Sequence, residues 1–221
     1  ISLARWGLNE AHASPVSTTS DSLGFTTVLE RDTLRFNGAI HDGVWVGSAH
    51  RSAESAPFEL RHLDSLTDQE WGAIVGTYRA PDGHLIGIAP FSEFGTVPLI
   101  VDYSTGRIGP LYPIERDRFL VGHSLITPLF PADTLQLTSG QGTGIRGIRF
   151  AGREVSPVQA ERLATHDEAV QFTNGTTTLR GTLILPVGPP PYPAMVLVHG
   201  SNALTRDVFG PWSRYFVGLG F

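Results

Sequence analysis

Apolar and polar positions alternate in short runs over most of this chain, and turn residues punctuate the runs at close intervals. Thr33–Phe36, Val44–Val46 and Phe58–Leu60 read as strands, set apart by the turn signals Asn37-Gly38 and Asp42-Gly43. Ile74–Arg79 runs into Pro81-Asp82-Gly83 and returns through Leu85–Ile88. Val97–Tyr103 turns at Ser104-Thr105-Gly106 into Ile108–Tyr112, and Arg118–Val121, Thr134–Thr138 and Ile145–Phe150 add further strands. Turn signals at this density predict an antiparallel sandwich, barrel or meander over residues 25–160, after a loose lead-in over 1–24. Within it, Thr67 and Glu70 have the spacing of a capping box and predict one helical turn. Val155–Thr165 reads as a connector.

The pattern changes near His166, and residues 166–221 read as a second unit. Ala169–Phe172 and Thr178–Leu185 flank Asn174-Gly175, a strong hairpin signal. A Pro-rich linker, Pro186–Pro193, leads into the apolar run Ala194–Val198, which is predicted to be a buried strand. Beyond it, Trp212, Tyr215, Phe216 and Leu219 recur at helical spacing, with Pro211 suited to the first turn and Gly220 to the stop.

Composition narrows the function classes. Of 221 residues, 41% are hydrophobic and only 17% charged, which supports a packed core and argues against disorder. The 25 Gly and 16 Pro agree with many short strands. A net charge of −5, with 16 Lys and Arg that never cluster, offers no footprint for nucleic acid. With no cysteine, disulfides and thiolate metal sites are excluded. The eight histidines show no ligand spacing, so neither metal nor cofactor is implied. No apolar stretch reaches the length of a membrane span. A chain starting at Ile1 predicts a processed or truncated start.

The chemistry concentrates at His199-Gly200-Ser201-Asn202, where the predicted strand stops. An N–H donor at the end of a rigid strand can stabilise the oxyanion of an ester or amide in transit. Gly200 permits the bend, the backbone N–H of Ser201 is the candidate donor, His199 supports the loop, and Asn202 could add a side-chain donor. Other patterns carry less. Gly122-His123-Ser124 begins like a nucleophile elbow, but Ile126 stands where a small residue is needed. Gly142-Thr143-Gly144-Ile145-Arg146-Gly147 matches a dinucleotide fingerprint, yet a β-like run follows it rather than a helix. Asn174-Gly175-Thr176 is formally a glycosylation sequon that coincides with a hairpin turn. Phe91, Phe94, Tyr103 and Tyr112 could line a ligand surface or fill a core.

On these residues the chain resembles bacterial α/β-hydrolases of the serine-esterase and serine-aminopeptidase-like group, in which a β-rich domain precedes the catalytic one. The resemblance runs through Val170–Gly175, Leu179–Leu183, Tyr192–Ala194 and Val198–Ser201, then Thr205-Arg206-Asp207 and Phe216–Phe221. In the β part it includes Gly76–Arg79, Gly106–Pro113 and Phe119–Gly122. It implies the first strands and helix of an α/β-hydrolase domain over 166–221, a small ester or amide substrate, and an extracytoplasmic bacterial location. It also implies that the nucleophile, acid and histidine would lie beyond Phe221, so this chain would supply an oxyanion loop without a triad. The competing class is a non-catalytic ligand-binding or structural β-domain protein.

Overall fold

The computed structural model describes residues 16–19, 21–29, 32–91, 98–122, 133–140, 144–152, 156–200 and 204–221. Its described residues fall into two compact units, one ending at Asp64 and the other beginning at Ser65.

The first unit is an antiparallel meander of β1 (Val16–Thr18), β2 (Ser22–Leu29), β3 (Asp32–His41), β4 (Val44–Arg51) and β5 (Glu54–Arg61), each paired with the next in sequence. Alternation sets its buried face: Leu23, Phe25, Leu34, Phe36, Ala49, Ala56 and Phe58 point one way. Phe25 stacks on Phe36 with ring centroids 4.3 Å apart, and Phe58 meets Phe36 edge-on at 5.5 Å.

The turn expected at Asn37-Gly38 is not there. Both residues lie inside β3, and Gly38 pairs with Gly47 of β4. The reason is packing: a Cβ on Gly38 would come within 2.9 Å of the Phe58 ring. Here glycine makes room for an aromatic across the sheet. Asp42-Gly43 does turn the chain, with positive φ at both residues. The lead-in also extends less far than expected, since β1 and the start of β2 fall before residue 25.

The second unit opens with α1 (Asp68–Ile74), whose N-cap Thr67 and Glu70 form the expected capping box. Eight strands follow: β6 (Gly76–Arg79), β7 (Leu85–Ala89), β8 (Leu99–Asp102), β9 (Arg107–Glu115), β10 (Arg118–Val121), β11 (Asp133–Ser139), β12 (Ile145–Ala151) and β13 (Val158–Arg162). Each pairs antiparallel with its sequence neighbour, and β13 closes on β6, giving an up-and-down barrel with no free edge. Residues 158–162, expected to be a connector, are the strand that closes it. Ala160 of this strand is buried and pairs with Ile148 of β12.

The barrel interior is filled. Tyr78, Ile86, Ile88, Ile100, Leu111, Phe119, Val121, Leu135, Ile148 and Phe150 form one apolar cluster. Tyr78 carries its hydroxyl into this cluster and donates to the Ile74 carbonyl at 2.5 Å, while burial pushes its pKa up to about 12.

Beyond the barrel come the hairpin β14 (Thr165–Asn174) and β15 (Thr177–Pro186), a 3₁₀ turn (Arg206–Phe209) and α2 (Gly210–Gly218). Asn174-Gly175 makes the hairpin turn as its sequence predicts. The expected α/β-hydrolase architecture is not formed. The described chain is nearly all antiparallel β, and residues 194–198 make no strand at all. A parallel strand needs neighbours on which to build its ladder, and the described sheets present none: the hairpin is a sheet of two strands only.

The helix at 210–218 is present, but a different face is buried. Pro211, Arg214, Val217 and Gly218 pack inward, while Trp212 and Leu219 stay 46% and 52% exposed. Close approach decides this. A Cβ on Gly218 would lie 2.8 Å from Leu85 and 2.9 Å from Thr77, so the glycine seats the helix directly against β6 and β7. Thr77 Oγ1 and Arg79 Nη2 then donate to the carbonyls of Arg214 and Gly218 at 2.7 and 2.5 Å.

Candidate functional site

Where the barrel meets α1, the root of β14 and α2, an open cleft of about 690 Å³ forms, lined by Asp68, Trp71, Arg162, Asp167, Asp207 and Arg214 among others. Each side chain arrives for a local reason. The capping box starts α1 so that Trp71 lies one turn in, packed on Phe119 with centroids 5.7 Å apart and still half-buried. Arg162, the last residue of β13, donates to the carbonyls of Ala73 and Val75 (2.7 Å for the latter), satisfying the orphan end of α1. Arg214 reaches from α2 to Asp167 on β14 in a forked pair, Nη2 to Oδ2 at 2.6 Å and Nη1 to Oδ1 at 3.4 Å.

Burial works to raise the Asp167 pKa, but the hydrogen bonds and charge of Arg214, with the Thr165 hydroxyl at 3.0 Å, hold it below the usual carboxylate range. Both guanidinium groups of the cleft are therefore committed to protein partners. Three aspartates and two arginines line the cleft beside the Trp71 side chain, which leaves one negative charge in excess.

A second constellation lies at the β7–β8 end of the barrel. His84 Nε2 stands 3.1 Å from Asp102 Oδ1, and Ser104 Oγ donates to the same oxygen at 2.7 Å. A nucleophilic triad needs the histidine between serine and acid; here the acid stands between the other two. Asp102 instead locks the turn by accepting from Ser104 and Thr105 backbone N–H groups. Those bonds outweigh its burial and keep its pKa low.

The residues singled out for an oxyanion loop lie elsewhere. His199 and Gly200 sit in exposed backbone without secondary structure, His199 Nδ1 being 2.8 Å from the Gly200 carbonyl. Ser201 and Asn202 lie outside the described residues, as do His123, Ser124, Phe94 and Gly142. Phe91 is buried against Leu99 and Val208, and Tyr103 packs on Tyr215 with tilted rings 4.9 Å apart. The sequence reading missed Trp71, Arg162, Asp167 and Arg214. The forked pair Asp167–Arg214 spans 47 positions, and no local spacing announces it.

Among the described residues, no group of three or more His, Asp or Glu could hold a metal ion. No helix among them is long and apolar enough to cross a membrane. The chain matches no protein-family model, no curated protein and no solved structure. The α/β-hydrolase resemblance thus finds neither its architecture nor a matching family. What the fold defines is an all-β protein: a filled up-and-down barrel with an appended hairpin and helix, and a separate five-stranded sheet.

Proposed function

We propose that this chain is a non-catalytic binding domain whose cleft takes a small ligand with a cationic group and a planar or apolar face. The observation that supports this is that Trp71 lines the same cleft as three aspartates and two arginines, an excess of one negative charge. Its volume falls within the range of small-molecule sites, whereas the barrel interior is occupied by side chains. A cation over an indole gains about 0.5–2 kcal/mol. Asp68 and Asp207, on the rim of the same cleft, add long-range attraction.

Titration calorimetry with benzylamine, tetramethylammonium and benzoate tests the reading. The cations are expected to bind and benzoate not to, and Trp71→Ala should weaken cation binding by roughly twofold to thirtyfold. Equal binding of benzoate, or no loss in Trp71→Ala, would overturn it. So would turnover of short p-nitrophenyl esters by the same protein, which a binding domain does not give.

A further inference from the structure

The sequence holds two Asn-Gly dipeptides, Asn37-Gly38 and Asn174-Gly175, and the fold gives them opposite surroundings. A glycine after asparagine carries no Cβ to obstruct the approach of its backbone nitrogen to the asparagine side-chain Cγ. That approach then depends on two things: whether the nitrogen is held in a ladder, and whether the asparagine can leave its extended conformation.

Asn37-Gly38 is locked. β3 has a neighbour on each side, with Gly38 opposite Leu23 of β2 and Gly47 of β4. Its N–H therefore points into a ladder whichever side it faces. Space is closed as well, since a Cβ at Gly38 would come within 2.5 Å of the Val46 carbonyl oxygen. Asn174-Gly175 is open. Asn174 and Thr177 are the last pair of the β14–β15 ribbon, and Gly175 and Thr176 form the two-residue turn between them. Gly175 has a φ of 61°, and nothing lies within 4 Å of where its Cβ would stand. All four residues are exposed. In such a turn the N–H of the first central residue points away from the ladder. β14 and β15 make a sheet of two strands, so their end pair frays at low cost. A pair inside the five-stranded sheet opens only with its neighbours.

We infer that Asn174 is a site of spontaneous, backbone-assisted deamidation, and that Asn37 is protected from the same reaction by its place in the sheet. The deprotonated Gly175 nitrogen attacks the Asn174 Cγ, a C–N bond forms, and the side-chain amide leaves as ammonia. Water then adds to either carbonyl of the resulting cyclic imide and opens it. One opening gives aspartate. The other gives isoaspartate, in which the backbone runs through the side chain and is longer by a methylene. Either product puts a negative charge at the hairpin tip. Isoaspartate also lengthens the turn that fixes the register of β14 on β15. This inference does not depend on the cleft or its ligand.

The test is tryptic peptide mass spectrometry on the full chain, native and urea-unfolded, after incubation in mildly alkaline buffer and against a zero-time sample. Cleavage after arginine puts the two sites on separate peptides, residues 36–51 and 163–180, each with one asparagine. In the native chain, the mass gain of an amide-to-acid conversion is expected on peptide 163–180. Fragment ions should place it at Asn174 rather than Gln171, and Asn174→Gln should remove it. Peptide 36–51 should gain it at least about tenfold more slowly, the factor that an opening cost of about 1.4 kcal/mol gives. Unfolding in urea should bring the two rates together. A native Asn37 that converts as fast as Asn174 would overturn the assignment. So would a native Asn174 that stays intact while the unfolded chain converts, or a gap between the two sites that persists in urea.

Discussion

The barrel and the hairpin are both built from antiparallel strands with alternating faces, yet they use their apolar residues in opposite ways. In the barrel, Phe119, Val121, Leu135, Ile148 and Phe150 are at or near zero exposure because closure gives every inward side chain a ring of neighbours. In the hairpin, Phe172, Leu179 and Leu183 share a face just as regularly and stay in water. Alternation makes a face. Only a second layer, or closure on itself, makes a core.

The largest effect should separate the regions directly. Phe119→Ala and Phe150→Ala should each cost about 3–5 kcal/mol in urea unfolding, while Phe172→Ala stays within about 0.5 kcal/mol. Equal costs would break the comparison. Alkaline unfolding sharpens it, since Tyr78 belongs to the barrel core. Its folded pKa of about 12 lies above the ordinary value of 10.0. The stability linked to it is thus fully present below pH 10 and declines as pH rises through 12. The loss should reach about 2–3 kcal/mol, and Tyr78→Phe should flatten this limb of the pH curve.

At the junction of the two regions, Arg214→Met removes the partner of Asp167 and should cost about 1–2 kcal/mol, a value discounted for the partial exposure of that carboxylate. The Asp167 pKa lies below 3.8, so its contribution is present above that value and is lost as pH falls through the folded pKa. Acid unfolding of Arg214→Met should therefore show a weaker pH dependence than that of the parent. The smallest effect is at α1. Thr67→Ala removes the hydroxyl that caps the Glu70 N–H, leaves the Thr67 N–H to Glu70 carboxylate bond in place, and should cost about 1 kcal/mol, with loss of helical order at α1 read by circular dichroism.

Much of the local structure was legible. The turns at Asp42-Gly43, Pro81-Asp82-Gly83, Ser104-Thr105-Gly106 and Asn174-Gly175 carry residues that tolerate positive φ, and the Gly at each adopts it. The capping box needed only Thr67 and Glu70. Asn37-Gly38 shows the limit of such reasoning, since the same dipeptide chemistry serves a turn or a gap for Phe58, and only the neighbour across the sheet distinguishes them. The helix face failed for a related reason. Hydrophobicity favoured Trp212 and Leu219, but Gly218 and the ion-paired Arg214 provide the close approach that seats α2. The cleft was illegible because its residues come from α1, β13, β14, the 3₁₀ turn and α2, which sequence distance keeps apart.

The amino-acid sequence alone determined the alternating strands, the glycine-bearing turns, the cap of α1 and the apolar character of Ala194–Val198, because those depend on backbone preference and side-chain spacing within a few residues. Tertiary structure decided that eight strands close into a filled barrel, that residues 158–162 are the closing strand, and that 194–198 stays unpaired. Each of those outcomes rests on whether a hydrogen-bonding neighbour stands alongside, and a strand cannot supply its own neighbour.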